Sequence, residues 1–205
     1  REVFEKVTVA AAVLDDPLTA EREINRVLAA LMRYKRPVYL EIPRDLVLTP
    51  IEVSSPPHAE SVERSDPAAL AEAVAEVRDM LTKAERPVVL AGAEVHRFGV
   101  QDDLTRLVER LNAPVASTLL GKSAIREDHP LYLGVYGGLV GREELQQFVG
   151  GADCLLMLGS ILTDIEDVGA HSTLQEAGRT VHATADAVTI KHHRYDSVRF
   201  EEFVR

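Results

Sequence analysis

The chain has 205 residues, 46% of them hydrophobic and 5% aromatic, with 33 acidic against 23 basic side chains and a net charge of -10. That length holds one large domain or one and a half, and the apolar content is enough to build a core, which excludes wholesale disorder. So acidic a surface repels phosphate backbones and anionic bilayers, which excludes nucleic-acid binding as a main role.

Cys154 is the single cysteine and has no internal disulfide partner, so the expected compartment is the cytoplasm. No apolar run approaches the roughly 20 residues of a membrane helix, and no membrane association is expected. The opening at Arg1 reads as the interior of something longer, so the chain is expected to be a piece of a larger protein. Charge divides it: residues 1–48 carry equal numbers of basic and acidic groups, so the whole net charge of -10 lies beyond them.

In chain order, Val7 to Val13 is an apolar run that fits a short strand or a helical turn equally well. Asp16-Pro17 predicts a helix over 17–34, where Ala20, Ile24, Val27, Leu28, Leu31 and Met32 recur at helical spacing. Pro37 to Pro43 predicts a strand bracketed by prolines. One helix and one or two strands cannot close a core, so 1–48 reads as the end of a domain. Residues 49–65, rich in proline and serine, form a linker, extended because residues before proline avoid the helical region.

A regular alternation follows over 66–205. Asp66-Pro67 starts a helix with Leu70, Val74, Val77 and Leu81 on its apolar face. Strand Pro87 to Ala91, a loop to Gly99, a helix to Leu111 and strand Pro114 to Thr118 come next. A long loop from Leu119 to Gly141 leads to helix Arg142 to Val149 and strand Asp153 to Leu158. A second loop from Gly159 to about Leu174 precedes strand Arg179 to Ala183 and a last strand around Val188 to Lys191. Continuous apolar strands between helices predict an α/β fold: a Rossmann-like three-layer α/β/α domain with a parallel sheet, preceded by a partial α/β segment.

Motifs with chemical content are sparse. Gly121-Lys122-Ser123 ends as a phosphate-binding loop does, but Ala116 stands where that loop needs its first glycine, so a turn is expected. Neither Gly134, Gly137, Gly138 and Gly141 nor the stretch after Ala91 has the dinucleotide fingerprint. A ligand, if bound, is expected in the crevice beyond the strand carboxyl ends, with Gly92, His96, Arg97, Lys122, Gly159 and Asp164 as candidates. His192 and His193 are adjacent and would point to opposite faces of a strand, so they do not suggest a metal site with His182. Asp164, Glu166 and Asp167 read as a solvated loop, and Cys154 as a small core residue. No catalytic and no metal-binding residue is assigned.

Two stretches carry a resemblance. Lys35-Arg36-Pro37-Val38-Tyr39-Leu40-Glu41-Ile42-Pro43-Arg44-Asp45 resembles the close of the pyrimidine-binding domain of thiamine-diphosphate-dependent enzymes. Arg86 to Gly92, Ala113 to Ala116, Gly121-Lys122, His129-Pro130, Gly134-x-Tyr136-x-Gly138 and Ala152 to Gly159 resemble the central domain of the same enzymes. Leu162-Thr163-Asp164 and the stretch from Lys191 to Val204 are most similar to the pyruvate, indolepyruvate and phenylpyruvate decarboxylase branch.

The resemblance implies a parent that converts a 2-oxo acid to an aldehyde and carbon dioxide with thiamine diphosphate and Mg2+. It implies that the activating glutamate and the Gly-Asp-Gly diphosphate site lie in domains this chain does not contain, so the chain itself should be inert and bind neither group. Expected partners are those pyrimidine- and diphosphate-binding domains, and a homo-oligomer. Some relatives carry a regulatory cysteine in the loop after the first central strand; here that loop reads Glu94-Val95-His96. The alternative is a module that binds FAD, ADP or a similar nucleotide in the strand-end crevice.

Overall fold

A computed structural model describes residues 2–53, 63–161, 174 and 178–205. The chain divides into two compact units, Arg1–Glu63 and Arg64–Arg205.

In the first unit a short helix α1 (Glu2–Glu5) precedes strand β1 (Ala11–Val13), helix α2 (Ala20–Tyr34) and strand β2 (Tyr39–Glu41). The ambiguous run after Val7 thus ends as a strand. It pairs in parallel with β2, Ala12 opposite Leu40. Helix α2 starts three residues later than the Asp16-Pro17 signal predicts. The Asp16 carboxyl accepts the Leu18 N–H at 2.9 Å, closing a turn of its own ahead of the helix. Its end is marked by Lys35 in the left-handed region (φ 50), whose N–H returns to the Leu31 carbonyl at 2.8 Å. Phe4 stacks on Tyr39 with ring centroids 4.2 Å apart. Among the described residues, the fully buried apolar side chains here are Ala12, Ala20 and Val27.

The second unit follows the predicted alternation closely. Helix α3 (Pro67–Lys83) opens where expected, with the Asp66 carboxyl accepting the Ala69 N–H at 2.8 Å. Then come β3 (Pro87–Ala91), α4 (Ala93–Arg97), α5 (Gln101–Leu111), β4 (Val115–Thr118), β5 (Tyr132–Tyr136), α6 (Glu143–Gly150), β6 (Cys154–Leu158), β7 (Thr180–Ala183), β8 (Val188–Ile190), β9 (His193–Tyr195) and α7 (Phe200–Val204).

The sheet has seven strands in the order β5-β4-β3-β6-β7-β8-β9. Its pairs from β5 through β7 are parallel, while β8 and β9 add an antiparallel edge.

Three local differences from expectation have physical reasons. The loop from Leu119 to Gly141 contains a strand, β5, hidden by Gly134, which sits at φ +124 and interrupts the alternation. The loop after β3 contains helix α4, too short for a helical period to show. The antiparallel β9 pairs Tyr195 with Val188, and its three residues are mostly polar and exposed, as edge strands are.

Alternation along the buried strands divides the core into two layers. Val89, Ala91, Cys154, Leu156, Leu158 and Val181 face α3, α5 and α7, meeting Val77, Leu104, Val108 and Phe200. Val88, Leu90, Leu155 and Met157 face the other way, against Leu145 and Val149 of α6 and Leu174. Burying a side chain of this size contributes about 1.5–3 kcal/mol, which is why every residue of β6 is apolar.

Candidate functional site

The strand order creates a switch point. From the central β3 the chain moves outward through β4 and β5, then returns to β6 on the other flank of β3. In open α/β sheets, ligands bind beyond the carboxyl ends at such a reversal. Gly92 follows β3 and Gly159 follows β6, so both candidate glycines stand at this place.

What the geometry does there is close the gap. A Cβ on Gly92 would lie 2.1 Å from the Gly159 carbonyl oxygen and 2.2 Å from Ser160 Cα. One on Gly121 would lie 2.4 Å from the Ala91 carbonyl oxygen. Three loops therefore meet backbone against backbone, an approach that only glycine allows. The ladder also continues past the strands, with the Gly92 N–H on Leu158 O and the Gly159 N–H on Ala183 O, both at 2.8 Å.

Polar groups at this end are bonded within the protein. The Ser160 hydroxyl, buried, donates to Leu90 O at 3.1 Å, and His182 Nε2 donates to Ser160 O at 2.9 Å. The Gly121 N–H donates to Thr118 Oγ1 at 3.0 Å, and Ser117 Oγ pairs with the Tyr132 hydroxyl at 3.0 Å. His96 Nε2 donates to Lys122 O at 3.1 Å, and its Nδ1 lies 3.0 Å from the Gln101 side-chain amide nitrogen.

Of the candidates read from sequence, Gly92, His96, Gly159 and the backbone of Lys122 come together. The side chains of Arg97 and Lys122 do not: Arg97 is exposed, and the Lys122 ammonium lies 3.8 Å from Glu127 in solvent. Asp164, with Glu166 and Asp167, lies outside the described residues. Sequence reasoning missed Glu94, Ser160 and His182. Glu94 had a signal, as the single charge in the otherwise apolar run from Pro87 to Val95.

Cys154 is buried in the core layer at 1% exposure, and its thiol is pushed up to about 11, first by burial and then by the neighbouring Asp153 charge. It is a small core residue, as its surroundings in sequence suggested. Among the described residues, no group of three or more His, Cys, Asp or Glu side chains is arranged to hold a metal ion. No helix among them is long and apolar enough to cross a membrane.

The opposite end of the sheet holds a cavity of about 230 Å³ lined by Asp79, Met80, Lys83, Ala84, Asp153, Gly178 and Lys191. Its charges are already engaged. Lys83 pairs with Asp79 at 2.7 Å, and Lys191 stands 3.9 Å from Glu76. The Asp153 carboxyl accepts the Glu85 and Arg86 N–H groups at 2.8 and 2.9 Å. Loss of some hydration would raise its pKa, but these N–H groups and the Arg86 charge outweigh that and hold it below the usual carboxylate range.

Comparison with known proteins agrees with this architecture. The family described as thiamine pyrophosphate enzyme, central domain, matches residues 74–201. The chain is 36% identical over 197 residues to an indole-3-pyruvate decarboxylase of Azospirillum brasilense, covering 96% of this chain and 35% of that protein. It is 32% identical over 197 residues to pyruvate decarboxylase isozyme 2 of Saccharomyces cerevisiae, covering 95% of this chain and 35% of that protein. The chain thus spans about a third of the length of the curated relatives it matches. By the match over most of its second unit, the chain belongs to the thiamine pyrophosphate enzyme family and carries that family's central domain.

Proposed function

We propose that this chain is part of a thiamine-diphosphate-dependent 2-oxo acid decarboxylase: the end of the pyrimidine-binding domain (1–48), a linker (49–65) and the central domain (66–205). Similarity to an indole-3-pyruvate decarboxylase along 96% of the chain carries this reading. The parent would convert a 2-oxo acid to an aldehyde and carbon dioxide, in the cytoplasm and as a homo-oligomer. Within it the chain supplies scaffold and interdomain surface.

Thiamine diphosphate, when bound, supplies an electron sink for the carbanion left by decarboxylation. The described residues do not fit that group. They assemble no metal-ligand cluster, and at the strand ends the backbones of Gly92, Gly121, Gly159 and Ser160 approach one another closely. No catalytic step is therefore assigned to this chain, and the cofactor and its Mg2+ fall, in this reading, to the parent's other domains. The same close approach of backbones counts against the nucleotide-binding alternative.

The test is carbon dioxide release from pyruvate, indolepyruvate and phenylpyruvate with thiamine diphosphate and Mg2+. It compares this chain with a full-length protein that includes it. Turnover by the longer protein alone is expected; turnover by this chain would overturn the scaffold reading. A saturable thermal shift with FAD or ADP would favour the alternative.

A further inference from the structure

Glu94 is the charged residue that, among the described residues, has no exposed surface. Burying a carboxyl group is costly unless its oxygens are matched by donors, so its position calls for a reason. It stands at the switch point itself. Its N–H donates to Gly159 O at 3.1 Å, and its Oε2 accepts the Ala185 N–H, in the turn between β7 and β8, at 2.8 Å. A Cβ on Gly159 would lie 2.8 Å from Glu94 Cβ, so the glycine is what lets the glutamate in. One residue that follows β3 thus fastens the ends of β6 and β7. Ligands of open α/β sheets bind beyond these same carboxyl ends of the strands.

We propose that the space beyond the carboxyl ends of β6 and β7, beside the switch point, is a carboxyl-binding site occupied by the chain's own Glu94, which ties the ends of β3, β6 and β7 together. The assignment goes beyond the decarboxylase reading and does not depend on which reaction the parent performs.

The test is amide exchange at Ala185 in this chain and its variants. Glu94→Gln keeps an acceptor at the same reach, so protection should stay within about threefold of the parent sequence. Glu94→Asp keeps the charge but loses one methylene of reach, and exchange at Ala185 should rise at least about tenfold. Glu94→Ala should show the same loss and open a site that formate enters, so that formate, but not chloride at equal ionic strength, restores protection. Unchanged Ala185 protection in the Asp variant would overturn the tie. If the Ala variant does not fold, the order of Gln over Asp still decides. In a folded Ala variant, no response to formate would overturn the ligand-site assignment. A saturable response of the unsubstituted chain to inorganic phosphate would overturn occupancy by Glu94.

Discussion

The two units contain the same kind of piece, a parallel strand pair joined through a helix, but they bury it to different depths. In the second unit β3 and β6 lie mid-sheet with helices on both faces, and nearly every side chain on them is buried. In the first, β1 and β2 form a two-stranded sheet, and α2 leaves Leu28 and Met32 exposed on the same helix that buries Val27. Local propensity is satisfied in both; what differs is the number of layers that exclude water.

The largest expected effects contrast these depths directly. Leu155→Ala removes a side chain with 0% exposure from the sheet centre and should destabilise the second unit by about 2–5 kcal/mol in denaturant unfolding. Leu28→Ala, at 44% exposure on α2, should cost less than about 1 kcal/mol. Equal costs would remove the contrast.

Gly92→Ala comes next, at about 3 kcal/mol or more, because its Cβ would meet backbone atoms that cannot swing aside. Gly150→Ala, with nothing within 4 Å of the added carbon, should be nearly neutral or slightly stabilising. Thermal unfolding of the pair checks that close approach, rather than glycine content, matters.

Cys154 gives a smaller, chemical contrast. With its thiol raised to about 11 and its sulfur in the core, it should resist a disulfide-exchange reagent at neutral pH until the second unit unfolds. Rapid labelling of the native chain would show that β6 opens easily.

The smallest effect is acid sensitivity. Glu202 is held below the ordinary range, first by the Ser65 hydroxyl and then by the Ser65 N–H, 2.8 Å from its Oε2; Asp153 is lowered by its two backbone donors against burial. Lowered folded-state values mean that both contribute stability above the unfolded carboxylate range of about 4, lost as pH falls through their folded-state values. Asp153→Asn and Glu202→Gln should each flatten that acid limb in a melting series, by well under about 1 kcal/mol given their solvent access.

Much of this was legible beforehand. Pro87 to Ala91 and Cys154 to Leu158 announce buried strands by composition, and Asp66-Pro67 marks a helix start to the residue. Less was legible at the crevice. Gly92 and Gly159 are legible as glycines that end strands, but that they let loops touch shows only in three dimensions. His96 is legible as a residue of the same loop, but that its ring bridges Gln101 and Lys122 O is not.

The amino-acid sequence by itself determined the alternation of helices and strands, the two-sided burial of the central strands and the family resemblance. These rest on residue type and short-range period, which each segment carries alone. Only the tertiary structure decided the strand order, the antiparallel edge, the meeting of Gly92 with Gly121 and Gly159, and the burial of Glu94 against Gly159. Those depend on which distant segments pack together, and a hydrogen bond between Glu94 and Ala185, 91 residues apart, leaves no periodic trace in the chain.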